Sequence, residues 1–342
     1  MVSRIRRRAV YFNAPKEITI REDELSSPGP GQVLVKTLLS GISPGTEMLV
    51  YRGQFPQGMA VDATIPDLAT GFSYPLKYGY SVVGNVVQAG PGIDPAWVGK
   101  QVFAFHPHES YFTGTPEELH PLPGGMHIEE AIFLPNMETA VNFLLDSSPL
   151  LGETVIVFGQ GIVGLLTTAM LARFPLSCLV TLDRYPLRRE LSLQLGANRS
   201  LDPVHPGLLQ ELEHLLPNGA DLVFELSGLP EVLNQAIEIS RYSGRIVVGS
   251  WYGNKRAEID LGGRFHRERI RLISSQVSSL DPSLLGRWDK ARRLQVAWEA
   301  LAFIRPSRFI THRFPVEEAA QAYQLLDQKP EAVIQVVLEY PE

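Results

Sequence analysis

The stretch VIVFGQGIVGLL, residues 155–166, restricts the fold of this chain more than any other. An apolar strand-like run leads into three glycines, Gly159, Gly161 and Gly164, and a helical pattern follows them directly. Glycines at this spacing also occur in ordinary turns. Placed between a strand and a helix, they form the dinucleotide fingerprint of a βαβ unit. Gly159 permits a tight turn, Gly161 lets the backbone approach a pyrophosphate, and Gly164 lets helix and strand pack closely. The N–H groups around Ile162 and Val163 then face the anion at the positive end of the helix.

The next strand, CLVTLD, ends in Asp183, about twenty residues beyond the glycines, as a ribose-binding carboxylate requires. A carboxylate there repels a 2′-phosphate, so NAD is the expected cofactor. Arg184 beside it argues the other way, since a guanidinium accommodates that phosphate or stacks on adenine, and NADP stands as the alternative. Arg188 reads as a solvated helix residue. Farther on, ELSG and VVGSWYG end two more strands at the carboxyl edge. Ser227, Gly228, Gly249 and Ser250 there are expected to line the cofactor groove, or else are plain loop residues.

The flanking pattern repeats. IVGLLTTAMLARF, LRRELSLQLGA, GLLQELEHLL and PEVLNQAIEIS read as helices, and CLVTLD, DLVFEL and GRIVVGS as strands. Such alternation predicts right-handed crossovers and an α/β doubly wound parallel sheet covered on both faces, over residues 149–280. Residues before 148 differ. They hold short β-type runs among Gly and Pro, which predicts an irregular, mostly antiparallel domain. Residues 281–342 carry two helices and a last strand, AVIQVVLEY, that continues the sheet or folds back on the first domain.

Composition narrows the function. A chain of 342 residues is long enough for two cores, and its net charge of −6 gives no reason to expect nucleic acid or an anionic membrane as partner. The run RIRRR, Arg4 to Arg8, reads as the solvated edge of a first strand. It lacks the apolar run of a secretory signal behind it, and no apolar stretch is long enough to span a bilayer, so a cytoplasmic protein is expected. Cys178 is the only cysteine, which excludes an intrachain disulfide and a Cys-rich zinc site. It lies in an apolar run, where an inert thiol is expected.

Two further features bear on chemistry. FHPHESYF holds His106, His108 and Glu109, which read as a surface loop, a substrate or proton-relay contact, or a metal site, with Pro107 disfavouring a central strand. The segment 54–78 contributes Phe55, Phe72, Tyr74 and Tyr78, an aromatic wall for a bulky substrate or simple packing onto their own domain.

The motifs SGISPGTEMLVYRGQFP and YPLKYGYSVVG, with the fingerprint and the order of parts, resemble the medium-chain dehydrogenase/reductase superfamily over essentially the whole chain. They are most similar to its bacteriochlorophyllide a dehydrogenase branch. The resemblance implies a GroES-like catalytic domain of residues 1–148 completed by 281–342, a Rossmann domain, and a small-molecule substrate bound between them. It also implies a homodimer or homotetramer, paired around RLISSQVSS.

Zinc members carry a Cys-Gly-Thr-Asp motif where this chain has Ser43, Pro44, Gly45, Thr46 and Glu47. Tyr80 stands at the second ligand position, and Asn136 or Met137 at the third. No zinc is therefore expected, and the four-cysteine structural loop is missing as well. By resemblance, Thr46 relays the substrate proton and Thr139 packs against the nicotinamide. Tyr80, with a reference pKa of about 10, is a second proton donor if Lys77 lowers it, or a filler of the space left by metal. Ser43 and Glu47 orient these groups or bond the nicotinamide ribose. The expected activity is hydride transfer between nicotinamide and a secondary alcohol or ketone. A quinone or enone reductase and a catalytically silent nucleotide sensor are the alternatives.

Overall fold

The computed structural model describes residues 4–56, 58 and 71–341, so most of the segment expected to border a substrate lies outside the described residues. The chain divides into two compact units, residues 1–135 with 305–342, and residues 136–304. The helices at 134–147 and 290–304 cluster with the second unit, so its limits lie outside the 149–280 expected from sequence.

The first unit contains β1 (Arg4–Ala14), β2 (Glu17–Ser26), β3 (Val33–Ile42), α1 (Thr46–Tyr51), β4 (Leu76–Lys77), β5 (Val82–Ala89), β6 (Gln101–Ala104), β7 (Tyr111–Gly114), β8 (Leu119–Pro121) and α2 (Ile128–Ala131). The second contains α3 (Leu134–Ser147), β9 (Thr154–Phe158), α4 (Ile162–Leu171), β10 (Cys178–Leu182), α5 (Pro186–Gln194), β11 (Arg199–Leu201), α6 (Leu208–Leu215), β12 (Ala220–Glu225), α7 (Val232–Ile239), β13 (Ser240–Val248), β14 (Arg271–Ser274) and α8 (Lys290–Ile304). The chain then returns to the first unit with β15 (Ile310–Pro315), α9 (Ala319–Gln328) and β16 (Gln335–Glu339).

In the second unit six strands form one parallel sheet in the order β11-β10-β9-β12-β13-β14. Its central strand β9 alternates between two cores. Ile156 and Phe158 join one apolar cluster, while Val155 and Val157 join another on the opposite face. A strand buried on both sides needs an unbroken apolar run, which is why TVIVF carries no polar alternation. β11 is too short to show a pattern of its own. Its pairing of Arg199, Ser200 and Leu201 with β10 makes it a strand.

The first unit is mostly antiparallel, as the Gly- and Pro-punctuated sequence predicts. One sheet runs β2-β1-β4, and the other β15-β16-β3-β5-β6-β8 with β7 also on β3. Sequence pattern left the last strand undecided. It pairs antiparallel with β3, Val336 opposite Ile42 and Leu338 opposite Ser40. The basic run of β1 is offset by the chain's own acids, because Arg4 meets Glu24, Arg7 meets Asp23 and Glu109, and Arg8 meets Glu317. Among the described residues no helix is long and apolar enough to cross a membrane.

Candidate functional site

The glycine loop between β9 and α4 is built as its sequence implies. Gly159 has φ +85, and a Cβ there would stand 2.5 Å from the Leu226 carbonyl oxygen; at Gly164 a Cβ would stand 2.0 Å from the Gly159 carbonyl oxygen. Neither position admits a side chain without moving backbone. Beside Gly161, by contrast, the space is open, and no side chain caps the first turn of α4. Ile162 is buried and Val163 half-buried, so their side chains face inward while the backbone at the helix start is left for an anion. The loop fits a dinucleotide phosphate.

Asp183 follows β10 and is 7% exposed. Its carboxylate accepts hydrogen bonds from Gln160 N at 2.8 Å and Tyr185 N at 2.9 Å, tying the glycine loop to the second strand. Each carboxylate oxygen has a further lone pair for a ribose hydroxyl. The reading of Arg188 as solvated needs correction: its side chain is 17% exposed, Nη1 lies 3.7 Å from the Asp183 carboxylate, and its guanidinium packs on the Tyr185 ring. Arg184 is exposed and covers the same ring, donating to Tyr185 Oη at 2.5 Å.

At the ends of β12 and β13, Ser227, Gly228, Gly249 and Ser250 are organised by a residue the sequence reading passed over. Glu225 is fully buried. Its carboxylate accepts from Ser227 N and Oγ and from Tyr252 Oη, and its carbonyl from Gly249 N and Ser250 N. Ser250 Oγ in turn accepts from Gly228 N at 2.9 Å. Burial and the Glu225 charge push the Tyr252 phenol far up, so it stays a donor. An acid ending a buried strand was the available signal. Thr139 is half-buried on α3 in this same unit.

In the first unit, Ser43, Thr46 and Glu47 lie at the start of α1. Ser43 N donates to Glu47 Oε1 at 2.8 Å, closing the turn in front of half-buried Thr46. Glu47 itself is fully buried, with Oε2 taken by Tyr323 Oη and by His108 Nε2 at 3.0 Å. Glu47 is thus held inside its own unit, with two partners on Oε2 and one on Oε1. His108 Nδ1 meets Ser40 Oγ at 2.8 Å, and Ser40 Oγ meets Tyr340 Oη at 2.9 Å. Burial raises both phenols, with Glu47 adding to the effect at Tyr323, so both stay protonated. If Nε2–H donates to Glu47 and Nδ1 accepts, Ser40 donates to the ring and accepts from Tyr340.

The same imidazole lies against Gly79, where a Cβ would stand 2.7 Å from the ring. Residues adjoining Thr46 and Tyr80 therefore meet on His108. The Tyr80 ring is half-buried and set edge-on to Tyr78, ring centroids 6.2 Å apart. Lys77, proposed from sequence to act on Tyr80, instead pairs with Glu109.

The surface-loop reading of His106, His108 and Glu109 is overturned, since all three are buried. The loop is held by Val10 N to His108 O, Thr37 N to Ser110 O and Arg8 N to Ser110 Oγ, contacts invisible in local sequence. Glu109 collects Arg7 and Lys77, with His106 Nε2 at 3.7 Å. His106 stacks on Phe112, and His108 points to Glu47, so the two rings share no ligand position. Phe55 and Tyr78 belong to the aromatic core of this unit, with Phe72 and Tyr74 packed against it, which favours packing over a substrate wall.

Zinc requires three or four suitable donors. Among the described residues no group of three or more His, Cys, Asp or Glu side chains is arranged to hold a metal. Glu47 has both oxygens engaged, Met137 is buried in the second unit, and the Cys178 thiol is pushed up by burial at the start of β10. The described residues at the positions likened to zinc ligands thus offer no arranged donor set.

Comparison with known proteins supports the dehydrogenase fold, while the family it points to is a zinc-binding one. Residues 163–293 match a family described as zinc-binding dehydrogenase. The chain is 22% identical to D-guloside 3-dehydrogenase of Escherichia coli K12 over 339 residues, covering 94% of this chain and 97% of that one. It is 27% identical to (R,R)-butanediol dehydrogenase of Bacillus subtilis over 280 residues, covering 74% and 79%. Among solved structures, an alcohol dehydrogenase, RspB, from Escherichia coli CFT073 with NADH superposes with TM-score 0.79 at 19% identity, covering 98% of this chain and 99% of that one. Residues 163–293 thus resemble the zinc-binding dehydrogenase family, and the chain as a whole shares the fold of these solved dehydrogenases.

Proposed function

We propose that this protein is an NAD(P)-dependent oxidoreductase that interconverts a secondary alcohol and a ketone on a small to medium-sized organic substrate without catalytic zinc. The glycine loop carries the reading, with Gly159 and Gly164 sterically barred from any side chain and an open helix N-terminus beside Gly161. Asp183 at the end of the adjoining strand supports NAD as cofactor, and Arg184 and Arg188 keep NADP as the alternative. Relatives named for D-guloside and (R,R)-butanediol oxidation support a secondary alcohol.

A bound nicotinamide would supply the hydride acceptor or donor. The chain's own residues must then move the proton, because the donors that would hold a Lewis-acid metal are replaced. Thr46 is the proposed proton relay, oriented by the Ser43–Glu47 turn, with Tyr80 as second donor. The likeness of SGISPGTEM and YPLKYGYSVVG to the bacteriochlorophyllide a dehydrogenase branch supports the metal-free reading. Its substrate is not carried over. The same reading places the enzyme in the cytoplasm as a homodimer or homotetramer. β14, the end strand of its sheet with Arg271, Leu272 and Ser274 exposed, supports pairing along that edge.

The test has two stages. NADH and NADPH are titrated by fluorescence, and turnover is followed over a panel of secondary alcohols, glycosides, ketones and enones. Thr46→Val is expected to cut kcat for alcohols and ketones by about 10²-fold or more, in the range of general acid–base catalysis, with NADH affinity unchanged. Enone reduction untouched by Thr46→Val would favour the quinone-reductase reading, and saturable binding with no turnover the sensor reading. Activity abolished by a chelator and restored by zinc would sink the metal-free mechanism.

A further inference from the structure

We propose that Arg293 is a positioning residue that sets the nicotinamide end of the nucleotide groove; this rests on the dinucleotide reading above. Arg293 is on α8, distant in sequence from every glycine of the fingerprint, yet only 1% exposed. Its guanidinium is used on every side. Nε and Nη2 donate to Glu138 Oε1 at 3.1 and 2.8 Å, Nη1 to Asn142 Oδ1 at 2.6 Å and to Ser279 O at 3.4 Å, and Nη2 to Val277 O at 2.6 Å.

Glu138 and Asn142 lie four residues apart on one face of α3, the helix that carries Thr139. Asn142 Nδ2 passes the contact on, donating to Ser275 Oγ at 3.1 Å and Asp146 Oδ2 at 2.8 Å, while Ser275 Oγ donates to Asp146. One guanidinium thereby fixes α3 to the segment 275–279 that leaves β14. The end of β13 joins them, because Ser275 N donates to Val248 O at 3.0 Å and a Cβ on Gly249 would stand 2.3 Å from the Phe143 ring of α3.

Topology says which half of a dinucleotide this serves. The strand order reverses between β9 and β12, and a dinucleotide lies across that point. The glycine loop and Asp183 belong to β9 and β10, so the adenosine half falls on that side. The carboxyl ends of β12, β13 and β14 are left for the nicotinamide half. The hydrogen bonds of Arg293 run to α3 and to the segment that leaves β14, the outer strand of that second half. A buried ion pair is weak evidence of stabilisation in itself, since well-packed apolar residues often serve as well. A planar fork that holds two backbone carbonyls and two side chains at once is a geometric device, and a lysine cannot reproduce it.

The experiment compares NADH with ADP-ribose, which lacks only the nicotinamide ring, by calorimetric titration of the whole chain and of Arg293→Lys and Glu138→Gln. The expected result is a tenfold or greater loss of NADH affinity in Arg293→Lys, with ADP-ribose affinity within twofold of wild type. Glu138→Gln, the milder change, should shift NADH affinity in the same direction. Equal losses for both ligands would show general damage to the unit and overturn the assignment, as would unchanged affinity for both. If Arg293→Lys does not fold, Glu138→Gln decides by the same comparison. A wild-type chain that binds neither ligand would sink the dinucleotide reading, and this assignment with it.

Discussion

The glycine loop of the second unit and the α1 region of the first are built by opposite means. The loop is made largely of backbone, where Gly159 and Gly164 leave no room for a Cβ beside the Leu226 and Gly159 carbonyls and Gln160 N reaches Asp183. The α1 region is made of side chains brought from four separate parts of the chain, with Glu47, His108, Tyr323 and Tyr340 joined through Ser40. Backbone sites tolerate almost no substitution at the close approach but many around it. Side-chain networks tolerate exchanges that keep every polar group satisfied and fail when one partner is deleted.

The largest expected effect lies in the loop. Gly164→Val must displace the Gly159 carbonyl that a Cβ would meet at 2.0 Å, so NADH binding should fall below detection in fluorescence titration. Circular dichroism should show the fold retained. Binding within tenfold of wild type would mean that α4 relaxes away from β9 and that the site is less rigid than its geometry implies.

A second contrast concerns stability. Burial by itself would raise the Glu109 carboxyl, but His106 and Lys77 outweigh it and hold it below the usual carboxylate range. Glu109→Gln leaves partly exposed Lys77, and Arg7 with Asp23 as its remaining partner, facing a neutral, fully buried group. The loss should fall below the ~3–5 kcal/mol of a fully buried pair. Because the folded value is depressed, this contribution is complete above the unfolded carboxyl pKa of about 4.3 and is lost as pH falls through the folded value. Urea unfolding should therefore separate the two proteins widely at pH 7 and progressively less in acid. A gap that widens on acidification would contradict the direction of the shift.

The smallest effect tests the cofactor. Asp183→Asn keeps an acceptor for Gln160 N but removes the charge proposed to meet the ribose, so NADH affinity should drop about tenfold, roughly 1.4 kcal/mol, while NADPH loses less or gains. Equal losses for both would assign Asp183 to holding the loop alone.

Much of the architecture was legible without coordinates. The change from period-two runs to alternating strands and helices separated the two kinds of domain, and the fingerprint located the first βαβ crossover. These signals are local, since a buried parallel strand must be continuously apolar and a tight turn must carry glycine. Other placements had no local signal. FHPHESYF looked exposed because it is polar and contains a proline, yet hydrogen bonds from β1 and β3 draw it inside, where ion pairs and the Ser40–His108–Glu47 chain satisfy it. Arg188 looked solvated because its neighbours on the helix are polar.

The sequence by itself determined the parallel sheet, the glycine turn and the acid at the end of the second strand, since each follows from rules acting over a few residues. Only the tertiary structure decided that β16 closes on β3, that Glu47 is held by a tyrosine 276 positions away, and that Arg293 joins α3 to the end of β14. A buried polar group must find partners wherever the chain happens to bring them, and distance along the sequence places no limit on where that is.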